Sequence, residues 1–170
     1  MSLADLCLAA IDLSDNTAAN MLLDHIGGPQ AVTEFFRQTG DEISRLDRRE
    51  PELNEFVPGD PRDTTTPAAM TKMLRGLLLG NVLSPSSREQ LVEWMSIGGV
   101  TSKLLRADAP KDWLILDKSG SGSHTRNIIA VVVPEGGAPW VVSIFISDVD
   151  ADFKTRNTAL QQIGSAVMSV

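Results

Sequence analysis

The sequence predicts an α+β fold, helices first and a sheet afterwards, on three observations. Apolar residues recur at three- and four-residue spacing through the first two thirds, three β-rich runs follow, and helical spacing returns at the end. The 170 residues have the length of one ordinary domain. With 42% apolar and 22% charged residues, the composition is that of a globular chain able to bury a core.

Each element has a local reason. Leu3 to Leu13 and Thr17 to Ile26 read as adjacent helices, the second closed by Gly27-Gly28-Pro29 as a C-cap and breaker. Gln30 to Thr39 is a further helix stopped by Gly40, and Asp41 to Leu46 is expected to add another turn or two. From Asp47 to Thr66 the periodicity disappears while Pro51, Pro58, Pro61 and six acidic residues accumulate. This is a long irregular loop, of the kind compact domains keep for function. Thr66 then caps a helix that starts on Pro67 and runs to Leu79. Ser84 to Met95 is one more helix, and Gly98 to Ala109 a short amphipathic turn.

Trp113 to Lys118, Asn127 to Pro134 and Trp140 to Ser147 are β-rich and separated by Gly- or Pro-containing turns, so they are expected to form an antiparallel meander. Asp150 to Val170 is predicted as a final helix with Leu160, Ile163, Val167 and Met168 on the side that covers the sheet. Trp94 and Trp113 read as core packing. The organisation is thus a helical region, 1–112, containing the 47–66 loop, followed by strands and a last helix, 113–170, as parts of one domain.

Charge and composition exclude several functions. The net charge is −7, with 15 basic and 22 acidic residues spread along the chain, so no basic stripe exists to track a nucleic-acid backbone. The longest apolar run, Ile128 to Pro134, is far below the roughly 20 residues that span a bilayer, and no membrane association is expected. Met1-Ser2-Leu3 enters a helical pattern directly, without a signal-peptide pattern, so either an export signal has been removed or the chain is an internal fragment. Cys7 is the only cysteine: a small buried apolar residue, or half of a disulfide whose partner lies elsewhere. His25 and His124 stand far apart with no Cys or acidic residue at ligand spacing, so neither a metal nor another cofactor is expected.

Three polar motifs carry the chemistry: Ser14-Asp15-Asn16, Glu50-Pro51-Glu52-Leu53-Asn54 and Lys118-Ser119-Gly120. Alone, the first is an N-cap and the third a turn. The run from Leu46 to Glu55, continued by Pro58, Asp60, Arg62, Asp63 and Thr64, is far more specific. It resembles the Ω-loop of the class A serine β-lactamases nearly residue by residue. The similarity extends through Asn16 to Asn20, Ile26 to Pro29, Pro67 to Met70 and Asp117 to Gly120, which is essentially the whole chain.

That resemblance implies a β-lactamase/transpeptidase-like fold, an incomplete version of it, and a site for hydrolysing the β-lactam amide through a serine acyl-enzyme. Ser14 would pass a proton to the departing ring nitrogen, and Lys118 would hold a positive field beside it. Glu50 would activate the deacylating water, held with Asn54. Asn16 would bind the acylamino side chain of a β-lactam antibiotic, Ser119 and Gly120 its carboxylate edge, and the Ser121 amide its oxyanion. Arg126 would support carboxylate binding, Asp15 and Pro51 would shape backbone, and Arg48 with Asp63 would close the loop's neck. Arg156-Asn157 matches a pair at the site rim, or is an exposed helix face.

The family's nucleophile motif, S-x-x-K, does not occur: no lysine stands three places after a Ser or Thr. The chain alone is therefore expected to be inactive, with a complementary N-terminal fragment as its partner, a matching cysteine for Cys7 in that part, and a periplasmic or secreted location by resemblance. Two other readings stand beside this one. One is a non-catalytic scaffold that self-associates through core exposed around Leu6, Leu13 and Leu22. The other is a penicillin-binding transpeptidase, which has no use for Glu50 and Asn54.

Overall fold

The computed structural model describes residues 1–169; Val170, the last residue of the predicted final helix, lies outside them. A three-stranded antiparallel sheet in the order β1-β2-β3 organises the chain: β1 is Leu114–Ser121, β2 Arg126–Val133 and β3 Trp140–Ile146. Register places Lys118 opposite Ile129, and Arg126 opposite both Ser121 and Ile146. The middle strand is the continuous apolar run because it is covered on both faces. Ile128, Ala130 and Val132 pack with Leu104, Leu105, Leu160 and Met168 on one side, while Val131 packs with Leu74, Leu78, Met95 and Leu116 on the other.

The helices begin and end where their caps dictate. α1, Leu3–Leu8, opens on a reciprocal capping box between Ser2 and Asp5 and passes into a π turn, Ala9–Leu13, that ends at Ser14 in the left-handed conformation, φ 56°. α2, Asn16–Ile26, is capped by the Asp15 carboxylate on the Ala18 amide, 2.9 Å, and stopped by Gly27 at φ 101°. α3 is Pro29–Gln38, α4 Pro67–Leu78 and α5 Pro85–Ile97, each with proline in its first turn, where a missing N–H costs nothing. α6, Leu105–Asp108, is one turn, and α7, Phe153–Met168, starts on Asp152, whose carboxylate accepts from the Thr155 amide at 2.7 Å. Trp113 stacks edge-on against Trp140 at 5.5 Å beside the sheet.

Five expectations need correction. Asp41 to Leu46 is not helical: the Asp41 carboxylate accepts from the Ile43 and Ser44 amides, offering the backbone a turn in place of helix bonds. The Leu3 to Leu13 helix changes from α to π at Ala9. Lys118 lies inside β1 rather than at its end, because pairing with β2 continues to Ser121. Ile163 is 43% exposed; the buried stripe of α7 is Arg156, Leu160, Gly164 and Met168, spaced by four. Leu6, expected on an exposed core face, is buried, and Leu22 is half-buried, whereas Leu13 is 62% exposed.

Candidate active site

Strand alternation aims Lys118. Asp117 turns to one face of β1, where its fully buried carboxylate accepts from the Thr101 hydroxyl at 2.8 Å and from the Arg106 guanidinium at 2.7 Å. Lys118 therefore turns to the opposite face, where its Nζ donates to the Ser14 hydroxyl and, at 2.6 Å, to the Ser119 carbonyl. Ser14 is held by its left-handed backbone at the end of the π turn, and that turn is tied down by the Gly99 amide on the Asp12 carboxylate at 2.6 Å. Burial pushes the Lys118 ammonium below its ordinary range and nearby Arg126 adds to this, while Glu50 and Asp117 oppose it.

The 47–66 loop brings the second pair. At its neck the Asp63 carboxylate accepts from the Asp47 and Arg48 amides at 2.7 and 2.9 Å and from the Arg48 guanidinium at 2.5 Å. Asp63 is in the left-handed region, and the Glu50-Pro51 bond is cis. Asn20, one turn beyond Asn16 on α2, clamps the Glu50 backbone from both sides, donating to its carbonyl at 2.8 Å and accepting from its amide at 3.0 Å. The Glu50 carboxylate accepts from the Asn54 amide side chain at 2.5 Å.

The loop also docks on the β1-β2 turn. Ser123 donates its amide to the Asn54 carbonyl at 3.2 Å and accepts from the Phe56 amide at 3.1 Å. Gly122 is required there: a Cβ would stand 2.4 Å from the Asn54 carbonyl oxygen. A cleft of about 430 Å³ opens between loop and strand, walled by Asn54, Phe56, Lys118, Ser119, Ser121 and Asn127.

A model of the β-lactamase enzyme family matches residues 1–170. The chain is 65% identical to a β-lactamase of Rhodobacter capsulatus over 170 residues, and 50% identical to β-lactamase AER-1 of Aeromonas hydrophila over 160. An ancestral class A β-lactamase superposes with a TM-score of 0.95 at 54% identity, covering 99% of this chain and 65% of that one. The chain belongs to the class A serine β-lactamases. It spans 58% of the length of the Rhodobacter relative and 53% of the Aeromonas one, which it covers with 100% and 94% of its own residues.

In this class A chain six of the residues singled out from sequence meet as three pairs. Ser14 meets Lys118, Glu50 meets Asn54, and Arg48 meets Asp63. Asp15 is the α2 cap. Arg126 is buried; its guanidinium donates to the Asn157 side chain at 3.1 Å and the Gly120 carbonyl at 2.9 Å, with Phe153 beneath it at 5.4 Å. Arg156 is likewise buried, donating to the Gly122 and Thr125 carbonyls at 2.7 and 2.8 Å, so it is not an exposed helix face.

Among the described residues the Asn16 and Ser119 side chains bond to no other site residue; Asn16 is exposed and Ser119 buried, while Gly120 and Ser121 are exposed at the end of β1. Asn20 was not assigned a role from sequence. The Asn16-to-Asn20 spacing, one helical turn on one face, was the available signal. Cys7 is half-buried and unbonded, its thiol raised by burial. Among the described residues no group of three or more His, Cys, Asp or Glu is placed to hold a metal, and no helix is long and apolar enough to cross a membrane.

Proposed function

We propose that this chain supplies the leaving-group and deacylation machinery of a β-lactam hydrolase whose acylating serine lies on a segment bearing S-x-x-K outside these 170 residues. The observation that carries this is the Lys118 to Ser14 hydrogen bond, which joins two motifs 104 positions apart into one proton-handling pair. When a serine on the complementary segment attacks the lactam carbonyl, Ser14 delivers a proton to the ring nitrogen and Lys118 stabilises the charge that develops. The Ser121 amide supplies one oxyanion donor and the nucleophile's own amide the other.

The buried cations Arg126 and Arg156 extend the positive field of Lys118 toward the end of β1, where Ser119 and Gly120 receive the substrate carboxylate. Asn16 binds the acylamino side chain. Glu50, fixed by Asn20 at its backbone and by Asn54 at its carboxylate, takes a proton from the water that frees the acyl group. A transpeptidase gains nothing from this second pair, which supports hydrolysis over transfer. A periplasmic or secreted location follows from the same reading.

Hydrolysis of nitrocefin tests it. The 170-residue chain alone is expected to show no turnover above buffer, and addition of an N-terminal class A β-lactamase fragment carrying S-x-x-K is expected to restore it. Turnover by the chain alone, or none after a complex has formed, sinks the proposal.

A further inference from the structure

We propose that Asp24 and Arg49 form an ionic strap that holds the Glu50 to Asn54 segment against α2, which makes both of them positioning residues for the deacylation step. Arg49 Nη2 lies 2.7 Å from Asp24 Oδ1. The strap presupposes the hydrolase reading above and adds to it two residues to which the resemblance gives no role.

The Glu50 to Asn54 segment needs an anchor outside itself. Among the described residues the Glu50 carboxylate bonds only to the Asn54 side chain, so that pair cannot fix where the segment stands. Arg49 opens the segment: its carbonyl accepts from the Leu53 amide at 2.9 Å, and the Asn54 amide donates to the Pro51 carbonyl at 3.0 Å. The Arg49 side chain reaches the last turn of α2, where Asp24 meets it. Asp24 stands four residues beyond Asn20, on the same helix face. One stripe of α2 therefore takes two consecutive loop residues, Asn20 the Glu50 backbone and Asp24 the Arg49 side chain.

The cation has a second reason to sit there. Gly27 ends α2, and a Cβ on Gly28 would stand 3.8 Å from Arg49 Nη2, so the guanidinium lies at the negative end of an 11-residue helix. Arg49 and Asp24 are 41% and 67% exposed, which makes the strap weak and sensitive to salt. An exposed pair shifts an equilibrium by about two- to fivefold. That changes how often Glu50 is in place without opening the loop, whose neck Asp63 holds separately.

Two measurements test the strap. In the 170-residue chain, Asp24→Asn and Arg49→Gln are each expected to speed hydrogen exchange at the Glu50 and Leu53 amides by about two- to fivefold, and the double variant no further. Asp24→Glu and Arg49→Lys, which keep the charges, are expected to stay near wild type. The Asp47 and Arg48 amides, held at the neck by Asp63, are expected not to change in any of them. With the S-x-x-K fragment added, the two neutral variants are expected to leave the acylation rate of nitrocefin unchanged in the pre-steady state and to slow deacylation by about the same factor. Unchanged exchange at Glu50, equal acceleration at the neck, unchanged deacylation, or acylation slowed as much as deacylation overturns the proposal. A wild-type complex without turnover sinks the hydrolase reading, and exchange at Glu50 then decides the strap by itself.

Discussion

Asp63 concentrates more of the site's geometry than any residue that would touch substrate. Its side chain is 3% exposed and its two oxygens serve two backbone amides and the Arg48 guanidinium, whose side chain is 14% exposed. Asp63→Asn tolerates the left-handed backbone equally well and keeps the shape, so it isolates the charge. An amide group cannot accept on both sides, and Arg48 loses its buried counter-ion, keeping only the exposed Glu55 carboxylate at 3.5 Å. The expected loss is about 3 kcal/mol, the lower end for breaking a buried pair, because Arg48 retains the Glu55 carbonyl at 3.2 Å. Urea denaturation checks it; an unchanged midpoint refutes it. The pair was legible in the sequence because both partners belong to the matched positions of one loop, Arg48 in the run from Leu46 to Glu55 and Asp63 among those that continue it. Asn20 was not, since its targets are the amide and carbonyl of a residue thirty positions away, which its one-turn spacing from Asn16 does not name.

Elements were legible where their ends are chemical. Proline at the first turn of α4, the Gly27 stop of α2 and the three β-rich runs all lie where composition placed them, within the fraying expected of any boundary. Asp41 to Leu46 failed for a physical reason: its apolar spacing fits a helix, but Asp41 accepts from backbone amides two and three residues ahead, and Arg37 donates to the Ser44 carbonyl at 2.9 Å. The inward face of α7 failed because the closest approach to α6 is made by a glycine, which hydropathy cannot flag. A Cβ on Gly164 would stand 2.7 Å from the Leu105 side chain, itself 2% exposed and packed on the sheet. Gly164→Ala gains roughly 1 kcal/mol of helix propensity. Against that, overpacking a core costs about 1–3 kcal/mol, and Leu105 is buried in the cluster on the sheet. Net destabilisation is expected, with a lowered thermal midpoint by circular dichroism; a raised midpoint shows that α6 moves away freely.

At the scale of the molecule, the α+β order and two-faced covering of β2 follow from the sequence, whereas the surfaces left open do not, because they depend on what packs against what. Two such surfaces carry an expectation of self-association. Leu3, Leu13, Met21 and Ile26 are 47%, 62%, 50% and 51% exposed around the first two helices. Among the described residues β3 pairs only with β2; it carries no charged residue from Trp140 to Ile146, and all of it is half-buried, so the edge lacks the charges that normally keep strands from pairing between molecules. Patches of this kind either bind a partner or bring copies together. Light scattering of the chain alone is expected to give a mass rising above 18.3 kDa with concentration, and Leu13→Lys with Met21→Lys to reduce that rise. Both changes are at exposed positions, so the thermal midpoint should move little. The S-x-x-K fragment should compete with association and return the scattering to a single 1:1 species. A chain that stays at 18.3 kDa at every concentration, with or without that fragment, refutes both the self-association and the partner surface.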